Sequence, residues 1–410
     1  LNNSEIIPNL FRTEYSKLIA VLCKVYGLQD IQIAEDIVAD TFLAASETWG
    51  KRGLPDNQVG WLYTVAKNKT KDYLRRNQLR VNKVEKDVKM EPNFSLNAVE
   101  NLELNEGIIQ DSQLKMLFTA CDPSIPKDAQ IALALRVLCG FGIAEIASAL
   151  LSNKEAINKK LFRAKAKLRE SGMSLDLPPP RELSERLAAV LTTLYLLFNE
   201  GYYSSNPDFT LNKDMCLEAM RLNLLLVSNN LTRQPQVHAL LALMCFHASR
   251  FEARIDGQGD FVLYDEQDST LWNKELMEKG DQYLNLAAAG EKLSKYHLEA
   301  AIAYWHTQPD KKERWESILQ LYNFLLQLDY SPIAALNRTY ALSKANGPKE
   351  AIAEALKLQL DSHHLYHSLL ADLYHQIGNP VKRKKHLNSA LNLAKTNREK
   401  SLIEKKLDST

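Results

Sequence analysis

The sequence predicts an all-α protein made of several helical segments, and three observations carry that expectation. Apolar residues recur at i, i+3 and i+4 along almost the whole chain, set among good helix formers. Alternating β-branched runs bounded by turns are nearly absent; the single weak strand candidate is Asp260-Phe261-Val262-Leu263-Tyr264. At 410 residues, 45% hydrophobic and 25% charged, the chain has a globular composition and is too long for one ordinary core, so two or three domains are expected.

Taken in order, the first segment covers 8–80, with helices expected over 11–26, 31–49 and 59–76. Gly50-Lys51-Arg52-Gly53-Leu54-Pro55-Asp56 interrupts the periodicity as a loop. Residues 81–107 are mixed, highly charged and contain Pro92, the composition of a linker. A second segment, 108–175, reads as several short helices and ends at the stiff connector Leu177-Pro178-Pro179-Pro180. The third, 181–410, is helix after helix. Near its end, helices over 331–344 and 349–358 flank a turn at Gly347, and helices over 362–377 and 381–395 flank one at Gly378. The two glycines are 31 residues apart, near the roughly 34 of a tetratricopeptide repeat. Ala371, Tyr374 and Ala390 fall where such repeats pack small or aromatic residues, so a tetratricopeptide-like extension with a concave binding surface is expected.

The compartment follows from what is missing. The five cysteines show no Cys-x-x-Cys spacing and each sits in an apolar stretch, as buried thiols of a reducing cytosol do. No apolar run reaches the roughly 18 residues of a membrane span. Leu1-Asn2-Asn3-Ser4 lacks the charged-then-apolar order of a signal peptide, so a cytoplasmic protein without a membrane partner is expected.

Net charge is only +1, with three excess positive charges over 1–175 and two excess negative ones over the remainder, so a nucleic-acid surface must be local. Two places supply it. Residues 142–151 form a short amphipathic helix, Ser152-Asn153-Lys154 a turn, and 155–169 a second helix, the helix-turn-helix plan. Ala156, Ile157, Leu161, Ala164 and Leu168 share one face of the second helix. Over 154–169 there are seven basic residues and one acid, a density suited to a phosphate backbone, although a solvated basic helix carries similar charge. The second place is 60–76, where Lys67, Lys69, Lys71, Arg75 and Arg76 interleave with Trp61, Tyr63 and Tyr73. Basic tracks with aromatic faces suit unpaired bases, yet Trp61 fits a core position better. Just before it, Glu35, Asp36 and Asp40 line a helix beside Ile37, Thr41 and Ala44, an acidic face for a basic protein partner or an ordinary solvated one.

Enzyme chemistry has weaker candidates. Glu200, in Asn199-Glu200-Gly201-Tyr202-Tyr203, is polar inside an apolar helix; it is a candidate base or ligand contact, with a structural cap as the plainer reading. Asp265, Gln267 and Asp268 form either a small-molecule or metal pocket or a polar turn. His363, His364 and His367 have helical spacing but no matching carboxylate or Cys, so no metal and no cofactor are expected. No phosphate-binding glycine loop, nucleophile elbow or protease-type Cys/His pair is present.

An acidic helix, a loop, a Trp-led basic helix, a linker and a helix-turn-helix, in that order over residues 8–173, resemble an extracytoplasmic-function sigma factor reduced to regions two and four. The carrying pieces are Ala34-Glu35-Asp36-x-x-x-Asp40-x-Phe42 and Gly60-Trp61-Leu62-Tyr63-x-Val65-Ala66-x-Asn68-x-x-x-Asp72-x-x-Arg75-Arg76. Asp111-x-x-Leu114-x-x-Leu117-Phe118 and Leu194-Tyr195-x-x-Phe198-Asn199-Glu200-Gly201-Tyr202 are similar to a subgroup that adds a long tetratricopeptide-like extension.

The resemblance implies a region-two bundle over 8–80, region four over 108–175, a helical extension over 181–410 and no enzymatic activity. It implies that Asp36, Asp40 and Phe42 grip the β′ clamp of the RNA polymerase core, with region four near the β flap. Asn68, Lys71, Asp72, Arg75 and Arg76 would lie at the minus-ten element, and the loop about 50–57 would hold a flipped base. Lys154, Asn158, Lys159, Lys160, Arg163 and Lys167 would read the minus-thirty-five element. Asn199, Glu200, Tyr202, Asp265 and Asp268 are the candidate pocket for a protein or small-molecule regulator on the extension. Two other readings stay open: a helical-repeat sensor or scaffold with a vestigial DNA-binding half, and an enzyme built around Glu200 and Asp265.

Overall fold

A computed structural model describes residues 3–26, 31–84, 105–150, 152–170, 175–203, 212–256, 262, 264–394 and 397–408. Among these the regular structure is α-helix with short 3-10 turns, and no strand is present. Most of the charged linker, 85–104, lies outside the described residues, as do 260, 261 and 263 of the strand candidate. Its last residue, Tyr264, opens a 3-10 turn. Two compact units are formed: Leu1–Glu200 with Leu217–Ser228, and Gly201–Cys216 with Asn229–Thr410.

The first unit begins with α1 (Asn3–Tyr26), α2 (Ile31–Arg52) and α3 (Gln58–Val84), which pack on one another. Leu18, Ile19 and Leu22 of α1, Ile31 and Val38 of α2, and Leu62 and Ala66 of α3 are buried in that bundle. Helix α4 (Glu106–Ala120), N-capped by Asn105, lies against α1, and is followed by α5 (Lys127–Val137), α6 (Ile143–Ala149) and α7 (Lys154–Glu170).

Helix α8 (Pro180–Tyr202) was expected to open a separate segment, yet it is fastened to the preceding one. Arg186 pairs with the buried Asp122 at 2.9 Å and donates to the Phe118 carbonyl at 2.8 Å, while the Thr193 hydroxyl donates to Gln130 at 2.8 Å. Charge-assisted bonds at a buried carboxylate are strong enough to set such a docking. Farther along, Arg221 of α9 (Lys213–Ser228) donates to the Leu138 carbonyl at 2.7 Å. The division between units therefore falls about 20 residues later than the proline connector suggests.

In the second unit, α10 (Pro235–Ala248) is buried along most of its length and packs on α11 (Lys274–Ala287) and α12 (Lys295–His306). Gly280 of α11 comes so close to Phe246 that a Cβ there would lie 2.6 Å from the ring. Successive helices then pack pairwise: α13 (Arg314–Leu328), α14 (Pro332–Ala345), α15 (Pro348–Leu358), α16 (His364–Gln376), α17 (Pro380–Leu393) and α18 (Asn397–Asp408). The same start device recurs, with Ser331 capping ahead of Pro332 and Asn379 ahead of Pro380. Gly347 and Gly378 take φ of +99° and +69°, the left-handed region that a side chain would strain. The turns expected at these two glycines are thus present as backbone geometry.

Candidate nucleic-acid interface

Helix α3 starts where Asn57 accepts the Gly60 N–H at 2.7 Å on its side chain and the Trp61 N–H at 3.0 Å on its carbonyl. From there Leu62, Ala66, Thr70 and Leu74, four residues apart, face inward. Tyr63 is also buried and donates its hydroxyl to the buried Glu14 at 3.2 Å; burial, and then that carboxylate, hold the phenol protonated far above its usual range. The opposite face carries Asn68, Asp72, Arg75 and Arg76, all exposed, with Lys71 half-buried beside them. Trp61 is half-buried, edge-on to Trp49 at 5.2 Å, and is a packing residue. Tyr73 is more open and meets Tyr26 edge-on at 5.9 Å.

On α2, Ala34, Ile37, Val38, Thr41 and Ala45 face the bundle, and Asp36 and Asp40 face solvent. Lys69 of α3 stands 4.0 Å from Asp40, a weak surface pair. Phe42 corrects the expectation: it is buried edge-on against Phe11 at 5.0 Å and supports the helix from within. The exposed apolar residue beside Asp40 is instead Leu43, 59% exposed. One residue along a helix is a turn of about 100°, enough to exchange inside for outside.

The helix-turn-helix is built locally. Glu145 accepts the Gly142 N–H at 2.6 Å to start α6, the Ser152 N–H returns to the Ala147 carbonyl at 2.8 Å, and Asn153 N-caps α7 by accepting from Ala156 at 2.7 Å. Ile146 and Ala147 are buried with Ile157, Leu161, Ala164 and Leu168 of α7. Lys154, Asn158, Lys159, Arg163 and Lys167 are exposed on the other side. Lys160 is the exception among the expected readers, since it is half-buried and paired with Asp128 at 2.7 Å, which lowers that carboxyl's pKa. Phe162, between Lys159 and Arg163 in sequence, is 74% exposed, an apolar group on a basic surface that charge counting passed over.

A further contact joins the two basic helices' neighbourhoods. Glu35 of α2 is buried and accepts from Arg136 Nε of α5 at 3.0 Å and from the Lys165 ammonium of α7. Lys165 also donates to Gln32 at 3.2 Å, and Arg136 donates to the Phe141 carbonyl at 3.2 Å and lies over the Tyr15 ring. A carboxylate removed from water between two cations is a strong, directional tie only while all three are present. Lys165, counted with the basic face from sequence, is thus committed to the protein itself.

The candidate regulatory residues fall on both sides of the unit division. Asn199 and Glu200 belong to the first unit and Tyr202, Asp265 and Asp268 to the second. Glu200 is half-buried, and burial raises its pKa. Asp268 caps the Ser269–Leu271 turn by accepting from the Thr270 N–H at 2.8 Å. Asp265 is bound by Lys344 at 2.9 Å and Tyr340 at 3.0 Å. Among the histidines, His363 caps α16 and His367 bonds to His386 and the Asp361 carbonyl. Among the described residues no group of three or more His, Cys, Asp or Glu is placed to hold a metal, and no helix is long and apolar enough to cross a membrane. All five cysteines are buried, with the Cys121, Cys216 and Cys245 thiols pushed up to about 12 by burial.

Residues 10–80 match the sigma-70 region 2 family, and residues 186–288 match a family of unknown function. An uncharacterized protein of Rhizobium meliloti is 32% identical over 390 residues, covering 93% of this chain and 90% of that protein. The ECF RNA polymerase sigma-E factors of Salmonella typhimurium and Escherichia coli are each 26% identical over 131 residues, 32% of this chain and 69% of theirs. No solved structure matches. The chain belongs to the family of the Rhizobium protein, and the match of its N-terminal bundle to sigma-70 region 2 supports a sigma-factor role.

Proposed function

We propose that the chain directs bacterial RNA polymerase core to specific promoters, binding through α2 and reading DNA with α3 and α7, without covalent chemistry of its own. The observation that carries this reading is the pairing of two exposed cationic helix faces in one unit. One, Asn68, Asp72, Arg75 and Arg76, lies within the sigma-70 region 2 match; the other, Lys154, Asn158, Lys159, Arg163 and Lys167, lies on a capped second helix of a helix-turn-helix. Phosphate contacts from such faces give affinity and register, and base edges give specificity. On α7, Asn158 and Arg163 can hydrogen-bond to bases, and the exposed Phe162 suits a thymine methyl. On α3, the polar face would trap the melted strand of the minus-ten element, with Tyr73 rather than Trp61 offering a partly open ring.

Asp36, Asp40 and Leu43 form the surface offered to a basic patch of the polymerase β′ clamp, since acids with an exposed apolar neighbour complement such a patch. Region four would sit near the β flap. The helical second unit acts as a regulatory module for a protein or small-molecule signal, in the cytoplasm. Run-off transcription with purified core polymerase tests the division of labour. Lys159→Glu with Arg163→Glu should abolish promoter-directed transcripts while polymerase binding stays measurable; equal loss of both would reject it.

A further inference from the structure

Within the second unit, the turn that follows α10 gathers cations around aromatic rings with too few acids. Arg250 is 7% exposed. Its Nη2 donates weakly to the Tyr202 hydroxyl at 3.4 Å and contacts His247 Nδ1 at 3.3 Å, and its guanidinium carbon lies 5.4 Å from the Tyr264 ring centre. The Nε–H is buried with no acceptor, and no carboxylate among the described residues lies within ion-pair distance of Arg250. A guanidinium carries five donors, so most of its hydrogen-bonding capacity is unspent in a place where an uncompensated charge is costly.

A second arginine borders the same ring, its guanidinium carbon 5.9 Å from the Tyr264 ring centre. Arg314, at the start of α13, donates to the Tyr264 hydroxyl at 3.4 Å and stacks over Trp315 at 4.5 Å. The neighbouring carboxylate Asp265 is already held by Lys344 and Tyr340. His306 meets the Tyr264 ring edge-on at 4.8 Å, and its Nδ1 is also buried without a partner. Burial first, and then Arg250 and Arg314, push its pKa down to about 3, so it stays neutral and adds no charge. The carbonyl ends of α10 and α12 offset part of the positive field, one of them through the Tyr264 hydroxyl bond to the His306 carbonyl at 2.5 Å. They offer Arg250 no counter-charge of its own.

Arg250 is buried, while Tyr264, Arg314 and Trp315 are each half-buried and so keep part of their surface open to water.

We propose that Arg250 and Arg314, flanking Tyr264, form a binding site for a small molecule carrying an oxyanion, a carboxylate or a phosphate. Arg250 supplies a forked donor pair from Nε and Nη, Arg314 the second cation, and the Tyr264 and Trp315 rings the walls for an apolar body next to the anion. This goes beyond the promoter-recognition reading and does not depend on it, because the site lies wholly within the second unit and binding needs no polymerase.

The test uses the full chain, with inorganic phosphate, sulfate and benzoate as probes against chloride at equal ionic strength. Thermal unfolding should shift upward with phosphate and sulfate if the ligand is a phosphate ester, or with benzoate if it is a carboxylate, and binding by calorimetry should saturate. Arg250→Met should weaken binding by about tenfold or more, the loss of a charge-assisted pair. In chloride alone it should unfold at or above the parent's temperature, since it removes an unneutralised buried charge. Arg314→Gln, at a less buried position, should weaken binding without altering the fold, read by circular dichroism. The proposal is overturned if none of the three anions shifts unfolding beyond chloride. It is equally overturned if both variants bind as the parent does, or if Arg250→Met is markedly less stable without anion.

Discussion

Glu35→Gln keeps the side chain's size and removes the one negative charge between Arg136 and Lys165. The side chains involved retain 4%, 23% and 14% of their exposure, so the carboxylate is nearly dry and neither cation can fully rehydrate without moving. Breaking a buried pair in this way costs about 3–5 kcal/mol. The lower end applies here, because Arg136 keeps the Phe141 carbonyl and Lys165 keeps Gln32. The loss should appear where α7 meets α2, as faster amide hydrogen exchange over 31–52 and 154–170. A fall of about 3 kcal/mol in the opening free energy corresponds to roughly a hundredfold loss of protection. Adding Lys165→Met to Glu35→Gln removes one of the stranded cations and should recover at least about 1 kcal/mol. A single variant within about 0.5 kcal/mol of the parent, or a double variant no better than the single, would refute the view that this triad joins the two helices.

Other consequences follow from the same geometry. Asp36→Lys with Asp40→Lys should cost core-polymerase affinity, while Phe42→Ala should instead lower stability by about 3–5 kcal/mol through a core cavity; co-sedimentation with core polymerase and urea unfolding separate the two effects. Replacing Asn153 by Ala should destabilise α7 by about 1 kcal/mol, seen as faster exchange of the first amides after the turn. Gly280→Ala drives a methyl onto the Phe246 ring and should cost about 1–3 kcal/mol in thermal unfolding. The folded-state pKa values of His247 and His306 lie below the unfolded value, so the unfolded chain binds more protons at acid pH. Stability should therefore fall as pH drops below about 6.5, by up to about 1.4 kcal/mol per pH unit for each histidine, and His306→Asn should flatten that slope by one proton.

Local features were the legible ones. Helix periodicity, the loop near Gly53, the helix-turn-helix and the turns at Gly347 and Gly378 all depend on residues within a few positions of one another, which sequence displays directly. The face of a helix was legible to within a residue, and that margin misplaced Phe42 and overlooked Leu43. What could not be read were ties across long sequence distance. Glu35 reaches partners 101 and 130 residues away, and Arg186 draws α8 onto the helix-turn-helix segment across the proline connector. Charge counting also treats every lysine alike, so Lys160 and Lys165 were grouped with Lys159 although Asp128 and Glu35 occupy them. The Arg250 cluster left one faint trace, two arginines four apart directly after an unusually apolar helix.

The most direct measurement is reconstituted transcription: purified core polymerase, the full chain, fragmented genomic DNA of the source bacterium, and sequencing of the transcripts' 5′ ends. Discrete start sites should appear only when the chain is added, share two upstream elements, and vanish with Arg75→Glu and Arg76→Glu. Transcripts with and without the chain that begin at the same positions, while the two proteins still bind each other, would contradict it.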